Sequence, residues 1–235
     1  MVVRLPSRIE AKNERGREIV RAARALMQQT GSTGFSMRTL AAKAGVSIAT
    51  PYNLFGSKQT IMLAVLDDDL EHYQKRLAKV RGDELDTFFK AVSVTTALFA
   101  TEPSFYGAVL LAVYNDGGRE FRSMFGGPRH AMWRGFVVDA IDAGYLVAEV
   151  EPDAFAINLG RSFFSAILEW ANGQISLQEL DAWAQYGFAL SLGAMSTAKS
   201  AARLREKALG QQKRLQKLWK QRLAHAKVRN GAATN

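Results

Sequence analysis

The chain has 235 residues, with 31 Lys and Arg against 22 Asp and Glu, three His and no Cys. That length holds one large or two small domains with a sizeable core, and the lack of cysteine excludes a disulfide framework and any thiolate metal site. The charge is unevenly divided, with net +7 over residues 1–60, −8 over 61–198 and +10 over 199–235, as a nucleic-acid-binding head, an ordinary soluble body and a basic tail would give.

His72, His130 and His225 lie far apart, none with a second His or an acid at ligand spacing, so neither a metal nor a cofactor is expected. No run reaches 18 apolar residues, and Met-Val-Val-Arg-Leu-Pro lacks a signal-peptide core, so a cytoplasmic protein without a membrane partner is expected. No Gly-x-Ser-x-Gly elbow, P-loop, Rossmann glycine run or His-Glu-x-x-His occurs, which places an enzyme last among the functional classes.

In chain order, residues 1–13 read as a flexible basic arm with Arg4, Arg8 and Lys12, in which Pro6 forbids early helix. A merely disordered terminus and an arm that touches phosphates or a minor groove both fit it. A first helix is expected from Asn13 to Thr30, with Ile19, Val20, Ala23, Leu26 and Met27 as its buried stripe and Gly31 closing it.

Three helix starts then follow in succession between Ser36 and Lys58. Ser36 can cap a helix, with Phe35 ahead of it as a hydrophobic staple. Gly45 ends that helix in a left-handed conformation, and Val46 plugs the corner. Ser47 is expected to cap a second short helix and Ser57 a third that opens with Lys58. Two short helices around a tight Gly-containing turn make a helix-turn-helix, whose second helix enters the major groove of DNA.

The helix from Ser57 continues to about Val80. Asp83 caps the next, which Pro103 ends, and residues 103–114 form a shorter apolar helix. An irregular segment with Phe121 and Phe125 precedes helices at 128–143, 153–172 and 176–200. The last two are rich in Ala, Gly, Ser and large apolar residues, so they need burial on more than one side. Pairing them with their copies supplies it and predicts a homodimer through a four-helix interface, the alternative being the core of one large monomer. Residues 199–229 read as a basic helix with a narrow Leu215, Leu218, Trp219, Leu223 stripe, frayed after Gly210. Added non-specific DNA affinity and a membrane-surface helix are the other readings of that tail.

No window alternates with period 2, so the fold is expected to be all-α. A three-helix head at 1–56 would precede an α-helical ligand-binding and dimerisation domain at 57–200. With about nine helices in these two, a basic helical extension would occupy 201–235.

The pattern F-S-M-R-T-L-A-x-x-A-G-V-S-x-A-T-x-Y-x-x-F-x-S-K over Phe35–Lys58 resembles the N-terminal domain of the TetR (tetracycline-repressor-like) transcriptional regulators. The resemblance implies a homodimer on a palindromic double-stranded DNA operator, usually repressing it, released when a small ligand enters the body. It assigns Ser36 and Thr39 to phosphates, and Ile48, Ala49, Thr50 and Asn53 to base edges. Tyr52 goes to the DNA backbone and Lys58 to a phosphate at a helix N-terminus. Arg38, Ser47 and Pro51 complete the expected DNA-binding set. Pro51 departs from the family's non-ring apolar residue and is placed at the DNA surface or supporting it. The face from Ile48 to Asn53 offers few hydrogen bonds, so apolar contact and DNA shape must carry more of the specificity.

For an apolar or amphipathic effector, the aromatic middle supplies Phe89, Phe99, Phe105, Tyr106, Tyr114, Trp133, Phe136 and Phe164 as pocket candidates. Arg161, within the run Ile157–Leu168, reads as a buried charge that needs either an acidic side chain or an anionic ligand. An architectural DNA-binding protein without a ligand is the rival reading.

Overall fold

The computed structural model describes residues 8–79, 82–115 and 127–232. Among them are ten helices: α1 Arg8–Thr30, α2 Met37–Lys43, α3 Ala49–Phe55, α4 Lys58–Leu77 and α5 Glu84–Thr101, then α6 Pro103–Asn115, α7 Gly127–Asp142, α8 Pro152–Ala171, α9 Leu177–Ala194 and α10 Ala198–Ala232. No strand occurs among the described residues, only one isolated antiparallel bridge, Leu146 to Ser196. The fold is all-α. Residues 116–126, which include the expected irregular segment with Phe121 and Phe125, lie outside the described residues, as do residues 1–7.

Packing divides the chain into two compact units, one of residues 1–74 and 102–123, the other of residues 75–101 and 124–235. In the first, Ile19, Ala23 and Met27 of α1, Leu40 of α2 and Ile61 and Val65 of α4 are all buried and supply the apolar core. Burying such side chains contributes about 1.5–3 kcal/mol each. The helix starts at Arg8, five residues ahead of the expected Asn13, so the second half of the supposed arm is helical. Arg24 of α1 pairs with Asp69 of α4 and lies over the Phe105 ring of α6, 5.0 Å from its centroid. The Tyr106 hydroxyl donates to Asp69 at 3.1 Å, and burial, followed by the Asp69 charge, pushes that phenol up to about 12. It therefore stays protonated and keeps donating.

The second unit is built on a ring cluster. Trp133 of α7 meets Phe136, Phe163 and Phe188 edge-to-face with centroids 5.4–6.2 Å apart, the geometry that the aromatic quadrupole favours. Asp83 caps α5 as expected, accepting from the Asp86 N–H at 2.9 Å. Its carboxylate also accepts from Arg203 at 2.5 Å and from the Tyr145 hydroxyl at 3.1 Å. Arg203 above all holds Asp83 down at about 2.

The C-terminal region departs most from expectation. The helix foreseen at 176–200 breaks after Ala194, and a new helix of 35 residues starts at Ala198. It turns back antiparallel over α9: Leu204 packs by Gly193, Gln211 donates to Gln185 at 3.1 Å, Arg214 to Asp181 at 2.5 Å, and Arg222 lies 3.2 Å from Glu179. Asp181 is buried and further satisfied by Ser93, Thr96 and Gln185. The tail does not fray at Gly210, because a row of side chains on its inner face has partners along α9. Leu215 is buried there, whereas Trp219 and Leu223 of the expected stripe are exposed.

Candidate nucleic-acid interface

Ser36 caps α2, its hydroxyl accepting from the Thr39 N–H at 3.0 Å. At the other end Val46 N–H bonds to Ala41 O and Gly45 N–H to Ala42 O, a Schellman pair closed by Gly45 at φ 66°. This tight turn sets the angle at which α3 leaves α2. The expected Ser47 cap is not formed. α3 begins at Ala49 with Ile48 at the cap position and no side-chain cap, while the Ser47 hydroxyl shares a 2.9 Å bond with the hydroxyl of Thr50. Thr50 N–H bonds to Ser47 O instead, so a turn replaces the cap. Ser57 does cap α4, accepting from Thr60 N–H at 3.0 Å.

The sequence thereby exposes one continuous surface. Ser36, Arg38 and Thr39 of α2 and Ser47, Ile48, Ala49, Tyr52 and Asn53 around α3 are exposed, and Thr50 and Lys58 are half-exposed. Ile48 is 49% exposed and Tyr52 51%. They stand four residues apart, hence on one helical face. Two large apolar groups exposed on one face of a short helix are costly unless something covers them.

Pro51 is the exception, being buried. At about 100° per residue Pro51 stands beside the Ile48–Tyr52 face, on the flank that the rest of the head covers. As the third residue of α3 it costs no intrahelical hydrogen bond.

Lys58 has a ring under it that sequence reasoning saw only as a staple. Its ammonium lies 4.5 Å from the centroid of Phe35, and burial lowers its pKa below the ordinary lysine range. Burial strips the ammonium of part of its hydration, which an anion beside it would replace.

The effector candidates are divided between the two units. Phe105, Tyr106 and Tyr114 belong to the first unit, and the others to the second. Phe105 and Tyr106 are occupied by Arg24 and Asp69, Phe99 stacks on Trp170 at 5.0 Å, and Lys207 lies over Phe89. Trp133, Phe136 and Phe164 are packed, and Tyr114 is 40% exposed. Arg161 is exposed, contrary to the expectation of a buried charge. It sits on the outer side of α8 with Ala154, Asn158 and Ser165, so the apolar run around it is the inner face of the same helix. A groove of about 440 Å³ lies instead in the first unit, lined by Arg17, Val20, Leu54, Phe55 and Asp67 among others.

The family model for bacterial regulatory proteins of the tetR family matches residues 19–65, which run from the middle of α1 into α4. No curated protein matches the sequence. Among solved structures, a TetR transcriptional regulator from Rhodococcus sp. RHA1 superposes with a TM-score of 0.64 at 19% identity, covering 78% of this chain and 98% of that one. The Thermus thermophilus TetR-family repressor FadR, in complex with lauroyl-CoA, gives 0.64 at 20% identity over 77% and 95%. RolR in complex with resorcinol gives 0.57 at 17% identity over 86% and 96%. At these identities the likeness is one of fold.

Proposed function

We propose that this chain, a transcriptional regulator of the tetR family, binds a palindromic operator as a homodimer, represses from it and lets go when a small effector enters its body. In this reading residues 1–56 are the reading head, 57–200 the regulatory body and 201–235 a basic extension. The observation that carries it is the exposed Ile48–Tyr52 face of α3, beside Asn53 and the cations Arg38 and Lys58. Ser36, Thr39, Tyr52 and Lys58 would hold phosphates, Ile48, Ala49, Thr50 and Asn53 would meet base edges, and Pro51 would brace them from beneath.

The homodimer draws support from what α10 leaves uncovered. Much of the apolar surface of α9 is buried within the chain, but Leu190 and Met195 are exposed, at 51% and 42%. α8 adds the exposed Ala154 and Ser165 on the outer side that they share with Asn158 and Arg161. An isologous interface would place two heads on successive major grooves, about 34–36 Å apart. Sedimentation should then give a dimer, and Leu190→Asp a monomer that has lost cooperative DNA binding. A wild-type monomer at micromolar concentration would remove this part of the proposal.

For the effector, FadR and RolR are seen with chemically unlike ligands, so its class must come from this chain, whose body is aromatic and apolar. A largely apolar molecule fits, acting by its differential affinity for the two head spacings. Gel-shift titration with apolar acids, alcohols and phenols checks this: one class should lower operator affinity at least tenfold, and no response to any of them would leave an effector-free architectural protein as the better reading.

A further inference from the structure

We infer that the outward face of α10 is a second, sequence-independent surface for the phosphate backbone of duplex DNA, on a different compact unit from the α2–α3 reader. It rests on the reading of this chain as a DNA-binding protein.

Among the cations of α10 whose side chains are described, Lys199 and Lys207 lie over the rings of Tyr145 and Phe89, and the other seven are of two kinds. Arg203, Arg214 and Arg222 face inward and are neutralised by Asp83 and Asp86, by Asp181 and by Glu179. Arg205, Lys213, Lys217 and Lys220 are exposed and have no ion pair among the described residues. At 3.6 residues per turn these four fall within an arc of about 120°, on the side of the helix opposite the three paired arginines. Glu206 is the one acid in the whole of α10, so almost nothing along the helix offsets their mutual repulsion. Docking of the inner face on α9 holds the helix straight against that repulsion and presents the four charges as a fixed row.

The row suits a polyanion that is itself regular. From Arg205 to Lys220 the helix rises about 22 Å, and a duplex presents roughly 13 phosphate charges over that length. Three of the four are lysines, which act as mobile point charges and fit phosphates of any register, while the residues with fixed partners inside are arginines. A lipid surface fits less well. The apolar ridge that a membrane-lying helix would insert, Leu204, Ala208 and Leu215, is spent on α9, Trp219 lies against Trp183 of α9, and Leu209 and Leu223 are the large apolar residues left toward the cationic side among the described residues. Within this chain, then, the head selects a site and α10 adds affinity for any neighbouring duplex.

The test uses the full chain and a random-sequence duplex labelled for anisotropy, titrated with salt. The variant Arg205→Gln, Lys213→Gln, Lys217→Gln, Lys220→Gln keeps helix propensity, and circular dichroism verifies its fold. The slope of log affinity against log salt should become shallower by about 3–4, while the sequence protected in footprints stays the same. A slope within one unit of wild type overturns the inference. So does binding to phosphatidylserine vesicles that the variant loses while its DNA affinity is unchanged, or a loss of self-association in place of DNA affinity. The variant Thr50→Ala, Asn53→Ala, which removes base-edge groups and no cation, separates the two readings: it should lose the discrete footprint yet keep most of its random-duplex binding. If it keeps the footprint, the head assignment fails and the α10 result stands by itself.

Discussion

Asn53 and Lys58 are both polar residues of the reading surface, yet the account gives them opposite signatures. Asn53 is exposed on α3, where its amide can pair with a base edge. Asn53→Ala should cost about 1–3 kcal/mol on the best sequence and relax preference at one position, read by binding to a set of single-base variants. Lys58 sits at the start of α4, where an anion is welcome. Lys58→Ala should weaken all sequences alike and reduce the salt slope by about 1. A change of sequence preference in Lys58→Ala would contradict its assignment. Asp83 makes a prediction about acid. Its carboxyl is held down at about 2, so the stability it lends is complete above the ordinary carboxylate range. That part is lost as pH falls from about 4 toward 2. Asp83→Asn, measured by thermal melting, should lower stability by about 1–2 kcal/mol at pH 7 and flatten that acid limb. Pro51 and Arg161 mark how far single residues could be read from sequence. Local pattern shows the helix on which each lies, but burial depends on which side the neighbouring helices cover, and that is decided by residues distant in the chain.

Elements were legible where their ends carry chemistry of their own. Ser36, Gly45 and Ser57 act at short range through hydroxyls and a left-handed backbone, and α2, the turn and α4 stand where these residues require. α10 shows the opposite case. Leu204, Ala208 and Leu215 repeat at helical spacing, a signal that was present but sparse, and eleven basic residues and one acidic one cannot be assigned to faces without knowing that Asp83, Asp181 and Glu179 wait elsewhere in the chain. The buried Asp181 is the centre of that docking. Asp181→Ala removes the partner of Arg214 and leaves Gln185, Ser93 and Thr96 with unmet hydrogen bonds. It should destabilise the protein by about 2–3 kcal/mol and speed amide exchange along α10 more than along α7, as followed by exchange mass spectrometry. Equal exchange in the two helices would mean that the polar network does not hold the tail.

For the molecule as a whole, the division of charge was visible from the first count and the structure gives it meaning. In the first 60 positions Arg38, Lys43 and Lys58 lie on or at the ends of α2–α4 and are at least half-exposed, while in α10 Arg203, Arg214 and Arg222 bind the helix to its own unit and Arg205, Lys213, Lys217 and Lys220 are left over. The central claim is that the exposed Ile48–Asn53 face reads a symmetric site. Footprinting of the purified full chain on genomic fragments selected by binding tests it most directly. The account predicts one discrete protected region of two-fold symmetry, its half-sites one helical turn or a multiple of it apart, lost in the Asn53→Ala, Lys58→Ala double variant. Uniform coating of every fragment, unchanged in that variant, would contradict it.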